Sequence, residues 1–180
     1  MNNIYFTSDL HLGHKNIIKY SNRPYKSIEE MDHDIVSKLF AKVKHGDTLY
    51  ILGDIAFSIN SLNLFVESKP KGINIHLILG GHDKNISTKY YKHFSSVSEL
   101  KTIKINNQKI VLCHYFMGTW DCSHYGAWQL YGHTHYDISK RHVGKQMNIC
   151  VDLHNYYPVS FDEVNNYMKS QPDNWNLIIK

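Results

Sequence analysis

Five short segments of this 180-residue chain place carboxylate or imidazole side chains where an apolar run or a glycine ends. They are Asp9-Leu10-His11, Gly53-Asp54, Gly80-Gly81-His82-Asp83, Cys113-His114 and Gly132-His133-Thr134-His135. A single Asp or His at a strand end is usually a cap or a turn residue. Five in one chain point instead to a shared site, because sites of open α/β sheets form where strands end. The segments therefore predict a fold whose strand ends converge on ligands for two metal ions.

The spacing within these segments favours chelation. Alternate side chains of a strand point to the same side, so Asp9 and His11 are expected to bind the same ion. His133 and His135 repeat that spacing with two imidazoles. Asp54 follows a glycine that allows close backbone approach, and its two carboxylate oxygens make it a candidate bridge between two cations.

Predicted strands alternate with helices in the first half of the chain and with other strands in the second. The predicted strands cover residues 4–8, 48–52, 73–79, 101–105, 109–113, 127–131 and 147–151. Helices are predicted after Ser27, whose spacing to Glu30 matches a capping box, and over residues 59–67 and 160–168. This order predicts one α/β domain over residues 1–180, built on a mixed sheet or on two stacked sheets flanked by helices.

Composition limits the classes of function. A formal charge of +4, from 20 Lys and Arg against 16 Asp and Glu, suits an anionic substrate but is too small for a strong nucleic-acid-binding signal. Three cysteines without CxxC spacing indicate neither a disulfide framework nor a zinc knuckle. We see no signal peptide and no bilayer-length apolar run, so we expect a cytoplasmic protein without a membrane partner. Nothing in the sequence indicates the oligomeric state.

The five segments resemble the motifs of the calcineurin-like metallophosphoesterases, specifically the small single-domain bacterial and phage members. The family pattern runs DxH, GD, GNHD, a lone His at a strand end, and GHxH. All five blocks occur here in order, and four are unchanged. The similarity continues through residues 7–18, 22–25 and 147–160. It implies a mixed two-sheet β-sandwich flanked by helices.

The resemblance also implies a ligand set for two divalent cations. Those ligands would be Asp9, His11 and His135 for the first ion, Asp54 as the bridge, and His114 and His133 for the second. Mixed carboxylate and imidazole ligands suit manganese, with iron, zinc and nickel as alternatives. The second ion would normally also take the Asn of GNHD, which is Gly81 here. Because glycine offers only its backbone, we expect the second ion to bind more weakly.

Such a site would hydrolyse a phosphodiester or a phosphomonoester by attack of metal-activated hydroxide on phosphorus. The resemblance makes His82 the acid that protonates the leaving group, with Asp83 hydrogen-bonded to it as an orienting residue. Arg23 and His14 are candidate substrate contacts, since a guanidinium matches phosphate oxygens. The expected substrate is a small phosphorylated molecule, nucleotides included.

Two other functions compete with this hypothesis. One is a nuclease, although the modest charge and the lack of Lys/Arg runs argue against it. The other is a non-catalytic metal-binding scaffold, as in the retromer complex. Gly81, in place of the family's Asn, gives this alternative some support. The aromatic residues between positions 115 and 128 have two possible roles. They could form a wall on which a nucleobase stacks, or they could pack in the protein interior, which we favour.

Overall fold

The computed structural model describes residues 2–86 and 88–178, in which nine strands form two sheets. The strands are β1 (Ile4–Thr7), β2 (Thr48–Leu52), β3 (Asn74–Ile78), β4 (Ser96–Ser98), β5 (Leu100–Ile105), β6 (Gln108–Cys113), β7 (Trp128–Tyr131), β8 (Gln146–Asn148) and β9 (Val159–Ser160). The α-helices are α1 (Lys15–Tyr20), α2 (Ile28–Lys42), α3 (Ile59–Ser68) and α4 (Phe161–Ser170).

Both sheets are mixed, as expected for the two-sheet α/β fold. The first has the strand order β4-β3-β2-β1-β9, in which only β9 runs antiparallel to its neighbour. The second has the order β5-β6-β7-β8, in which β6, β7 and β8 are parallel. Within each parallel set the carboxyl ends lie along one edge. An isolated bridge between Ser8 and Cys150 joins the chain after β1 to the chain after β8.

The core lies on both faces of the first sheet. In β2, Leu49 and Ile51 pack towards α2 and α3, while Tyr50 and Leu52 pack towards the second sheet. A central parallel strand buried on both faces needs such a continuous apolar run. Inward-facing residues of the second sheet include Ile110, Leu112 and Leu130, all fully buried. Helices α2 and α3 thus cover one face of the first sheet and the second sheet covers the other, while α4 packs against β1, β8 and β9.

Local sequence signals are found at two predicted boundaries, the start of α2 and the turn between β5 and β6. Ser27 caps α2 by accepting from the Glu30 backbone N–H, although the Glu30 carboxylate accepts from Lys26 and not from Ser27. Asn106 and Asn107 both have positive φ in the β5–β6 turn, which suits a tight hairpin.

The strand predicted over 147–151 is wrong at its end. It stops at Asn148, and a 3₁₀ turn, Val151–Leu153, follows. Helix α1 and strands β4 and β9 were not predicted, because they are short and lack a clear apolar period. Among the described residues, no helix is long and apolar enough to cross a membrane.

Leu130 tests the packing between the sheets. We expect Leu130→Ala to lower the free energy of unfolding by about 2–5 kcal/mol, because it leaves a cavity at a fully buried position. Leu100→Ala, at a position that is 46% exposed on β5, is the matched control and should cost less than about 1 kcal/mol. Urea unfolding of both variants measures the difference. Equal losses would contradict this assignment of the core.

Candidate metal centre

The six predicted ligands form two adjacent groups at the carboxyl ends of the parallel strands. The groups are Asp9, His11 and His135, and Asp54, His114 and His133. Within each group, one ligand-type atom of every residue lies within 4.8 Å of the others. The structure thus brings together residues that are more than 120 positions apart in sequence, such as Asp9 and His133, whose backbone N–H donates to the Asp9 carboxylate.

Asp54 lies where the two groups meet. Its Oδ2 atom is 3.6 Å from Nε2 of His11 in the first group and 3.5 Å from Nε2 of His114 in the second. Its other oxygen, Oδ1, accepts a 2.9 Å hydrogen bond from the backbone N–H of His82. One carboxylate oxygen is therefore held between imidazoles of both groups, as the bridging role requires.

Four of the six candidate ligands have a left-handed backbone, which is uncommon for residues other than glycine. Their φ angles are +58° for Asp9, +51° for His11, +54° for Asp54 and +69° for His133. Asp9 and His11 therefore converge through a strained loop after β1, and not through the strand alternation that the sequence suggested. Strain of this kind costs about 1–3 kcal/mol per residue and concentrates at functional sites.

Hydrogen bonds at the far ring nitrogen orient two of the imidazoles. Nδ1 of His114 donates to the Leu52 carbonyl at 2.7 Å, and Nδ1 of His135 donates to Oδ2 of Asp152 at 2.7 Å. In each ring Nε2 then faces the carboxylates of the site, an arrangement typical of metal-binding histidines. Gly53 is needed here, because a Cβ at this position would lie 2.5 Å from Nδ1 of His114.

Arg23 supports the site from beneath and is not placed to bind substrate. Its side chain is fully buried, and it forms two 2.8 Å hydrogen bonds to the Asp152 carboxylate. It also donates to the backbone carbonyls of Asp9 and Leu10. Because its donors are occupied by the protein, the predicted phosphate contact of Arg23 is wrong in this arrangement.

Asp83 also has a different role from the predicted one. Its buried carboxylate accepts hydrogen bonds from the backbone N–H groups of Asp54, Ile55 and Gly80. No hydrogen bond between Asp83 and His82 occurs among the described residues. Burial raises the pKa of Asp83, although the three N–H donors oppose this. Asp83 therefore fixes the loop that carries Asp54, and does not orient His82.

His82 and His14 line the accessible side of the site. The His82 side chain is 50% exposed, and its Nε2 lies 3.9 Å from Oδ2 of Asp54. The His14 ring stacks on Phe57 at 3.9 Å between centroids, and Phe57 lies 4.4 Å from the His82 ring. Beside them a cavity of about 130 Å³ is lined by Phe57, His82, Ile59, Leu62 and Ile86, among others. A small group bound there would lie next to the ligand cluster.

The buried part of the cluster fits divalent cations. Among the described residues, Nε2 of His11 and Nε2 of His114 are buried without a hydrogen-bond partner. Such unpaired atoms are rare in folded proteins and call for an explanation. Burial, with the neighbouring His135 and Arg23, lowers the pKa of His11 to about 2. Neutral imidazole nitrogens beside buried carboxylates form the donor set that transition-metal cations bind.

Asp152 is the supporting residue that the sequence analysis missed. Burial opposes its ionisation, but hydrogen bonds from His135 and Arg23 hold its pKa below the usual value. It follows a predicted strand as the other carboxylates do, so the same strand-end rule could have found it. Asp152 also groups with His135 and the buried Cys150. Burial raises the pKa of the Cys150 thiol, and the Sγ atom of Cys150 lies 3.7 Å from Nδ1 of His135.

The aromatic segment mostly packs, as we favoured. Trp120 and Trp128 are 5% and 9% exposed, and Nε1 of Trp120 donates to the Ala127 carbonyl. Tyr115 and Tyr125 are exposed, at 45% and 62%, and beside the ligand cluster lies Tyr115. Its ring lies 4.8 Å from that of His114 and 4.9 Å from that of His133.

Comparison with known proteins identifies a relative in an archaeon. The uncharacterized protein MJ1445 of Methanocaldococcus jannaschii is 32% identical over 168 residues, which cover 90% of this chain and 89% of the relative. The chain belongs to the same family as MJ1445. The Gene 66 protein of Mycobacterium phage L5 is 28% identical over 185 residues, with 84% and 87% of the two chains covered. No protein-family model matches the chain.

The fold has a counterpart among solved structures. AQ665 of Aquifex aeolicus, a protein of unknown function, superposes with a TM-score of 0.76 at 24% identity. The match covers 93% of this chain and all of that one. The fold is therefore shared. The names of these relatives state no activity for the family.

Asp152 should control how tightly cations bind. Asp152→Asn removes the carboxylate that holds His135, so we expect Mn²⁺ affinity to fall about 10- to 100-fold. Asp162→Asn, at an exposed position of α4, is the matched control and should leave the affinity unchanged. Titration calorimetry measures both variants after their folding has been checked by thermal melting. Unchanged affinity in folded Asp152→Asn protein would contradict the role.

Proposed function

We propose that this chain is a phosphoester hydrolase, a phosphodiesterase or phosphatase, that depends on two divalent cations. The observation that carries the proposal is the position of Asp54, whose Oδ2 atom lies within 3.6 Å of an imidazole from each ligand group. Adjacent ligand groups that share one carboxylate are the arrangement of two-metal hydrolytic sites. The resemblance of all five sequence blocks to the calcineurin-like metallophosphoesterases supports the same conclusion.

Cations bound by these residues would supply Lewis acidity towards a phosphate ester and its attacking water. The protein would hold the first cation with Asp9, His11 and His135, the second with His114 and His133, and both with Asp54. We propose manganese, with iron, zinc or nickel as alternatives, because imidazole and carboxylate together suit these ions better than calcium.

We propose His82 as the group that donates a proton to the leaving oxygen. Its ring is half-exposed and faces Asp54, so it can reach both solvent and a phosphoryl group bound at the cluster. The adjacent cavity of about 130 Å³ could hold the organic part of a small leaving group. The modest charge of +4 favours a small phosphorylated substrate over a nucleic acid.

A panel of esters tests the proposal. The purified chain, with and without Mn²⁺, is given a bis-aryl phosphate, an aryl monophosphate, cyclic nucleotides and short oligonucleotides. We expect metal-dependent hydrolysis that Asp54→Asn abolishes and that the matched control Asp121→Asn, at an exposed position, retains. If neither this chain nor its Gly81→Asn variant hydrolysed any ester, the result would contradict the proposal and favour the non-catalytic scaffold.

His82 should affect turnover without affecting metal content. We expect His82→Ala to lower kcat about 10²- to 10⁴-fold, the usual range for loss of a general acid. His33→Ala, at an exposed position of α2, controls for loss of a surface histidine. Metal content by mass spectrometry is measured on the same samples. Loss of bound metal in His82→Ala would instead make His82 a ligand.

A further inference from the structure

The space above Gly81 is occupied by the hydroxyl group of Tyr115. A Cβ added at Gly81 would lie 3.2 Å from Oη of Tyr115 and would meet no other atom within 4 Å among the described residues outside its chain neighbours. The backbone at position 81 does not require glycine, since its φ is not left-handed. A longer side chain at 81 would therefore compete with the Tyr115 hydroxyl for the same space.

The Tyr115 ring is fixed against the second ligand group. It meets the His114 ring at 81° and the His133 ring at 66°, so it packs edge to face with both imidazoles. Its backbone carbonyl accepts a 2.9 Å hydrogen bond from the buried side chain of Gln129, which anchors the segment. The residue is nevertheless 45% exposed. The phenol thus lies at the solvent-facing side of the second group.

The Tyr115 hydroxyl is free to serve a ligand. It has no hydrogen-bond partner among the described residues, and a phenol stays protonated in neutral solution, so it can donate. A purely packing role would be met equally well by phenylalanine. An exposed O–H directed over Gly81, beside two imidazoles, is placed to contact an anion bound there.

We propose that Tyr115 Oη, which fills the space above Gly81, donates a hydrogen bond to a phosphoryl oxygen bound at the group of Asp54, His114 and His133. This inference rests on the proposed function, and it makes Tyr115 a substrate-binding residue. It also gives a physical reason why Gly81 is compatible with a working site. Tyr115, the residue after His114, would place a polar group from the second sheet in the space that Gly81 leaves, although it would not replace a metal ligand.

Tyr115→Phe removes only the hydroxyl and keeps the ring contacts. The probe is inorganic phosphate, titrated by calorimetry into Mn²⁺-loaded protein, and metal content is measured beforehand. We expect phosphate affinity and kcat/KM to fall about 10- to 100-fold, as for loss of a hydrogen bond to a charged group, with metal content unchanged. Tyr125→Phe, at a position that is 62% exposed, is the matched control and should change neither quantity.

Gly81→Asn provides a second arm. Because the new side chain would displace the Tyr115 hydroxyl, the effect of Tyr115→Phe should shrink to less than about threefold in the Gly81→Asn background. Equal effects in both backgrounds would contradict the shared space. Equal phosphate affinity in Tyr115→Phe and Tyr125→Phe would overturn the inference, as would a parent chain that binds Mn²⁺ but not phosphate.

These outcomes separate the inference from the proposed function. Ester hydrolysis by the parent chain that is insensitive to Tyr115→Phe overturns the role of Tyr115 alone. Phosphate binding that depends on Tyr115, in a chain that hydrolyses none of the esters, contradicts the proposed function and supports the phosphate contact.

Discussion

The carboxylate of Asp54 is the group on which the arrangement of the site depends. One of its oxygens lies between His11 and His114, and the other is held by the backbone N–H of His82. The Asp54 backbone is left-handed, and its own N–H donates to the buried Asp83 carboxylate. Burying carboxylates and imidazoles so closely is unfavourable without compensating charge. Two cations would supply that charge. The same cations would explain both the unpaired imidazole nitrogens and the strained loops.

A second buried network holds the two sheets together at the same edge. Arg23 donates to backbone carbonyls after β1 and to Asp152 after β8, and Asp152 in turn holds His135. A buried ion pair of this kind contributes little net stability, but loss of one partner leaves an uncompensated charge. This network instead fixes the position of the candidate ligand His135, in the second sheet, relative to the loop that carries Asp9.

Much of the site could be predicted from the sequence because strand ends are marked by apolar runs and by the ligand residues themselves. Asp54 and His114 lie where that rule put them. Arg23 and Asp83 were misassigned because a sequence does not show which charged side chains are buried. The contact that we propose for Tyr115 was not predicted, because it depends on the space above Gly81, which only the packing of the two sheets creates. Strand β8 was predicted too long, since the backbone leaves the sheet at Asn148 to present Asp152.

Anomalous diffraction from crystals grown with Mn²⁺ tests most directly whether two cations share Asp54. We expect two anomalous peaks about 3.5–4 Å apart on either side of the Asp54 carboxylate. One peak should contact His11 and His135, and the other His114 and His133. A single peak that does not touch Asp54, or no peak at saturating Mn²⁺, would contradict the account.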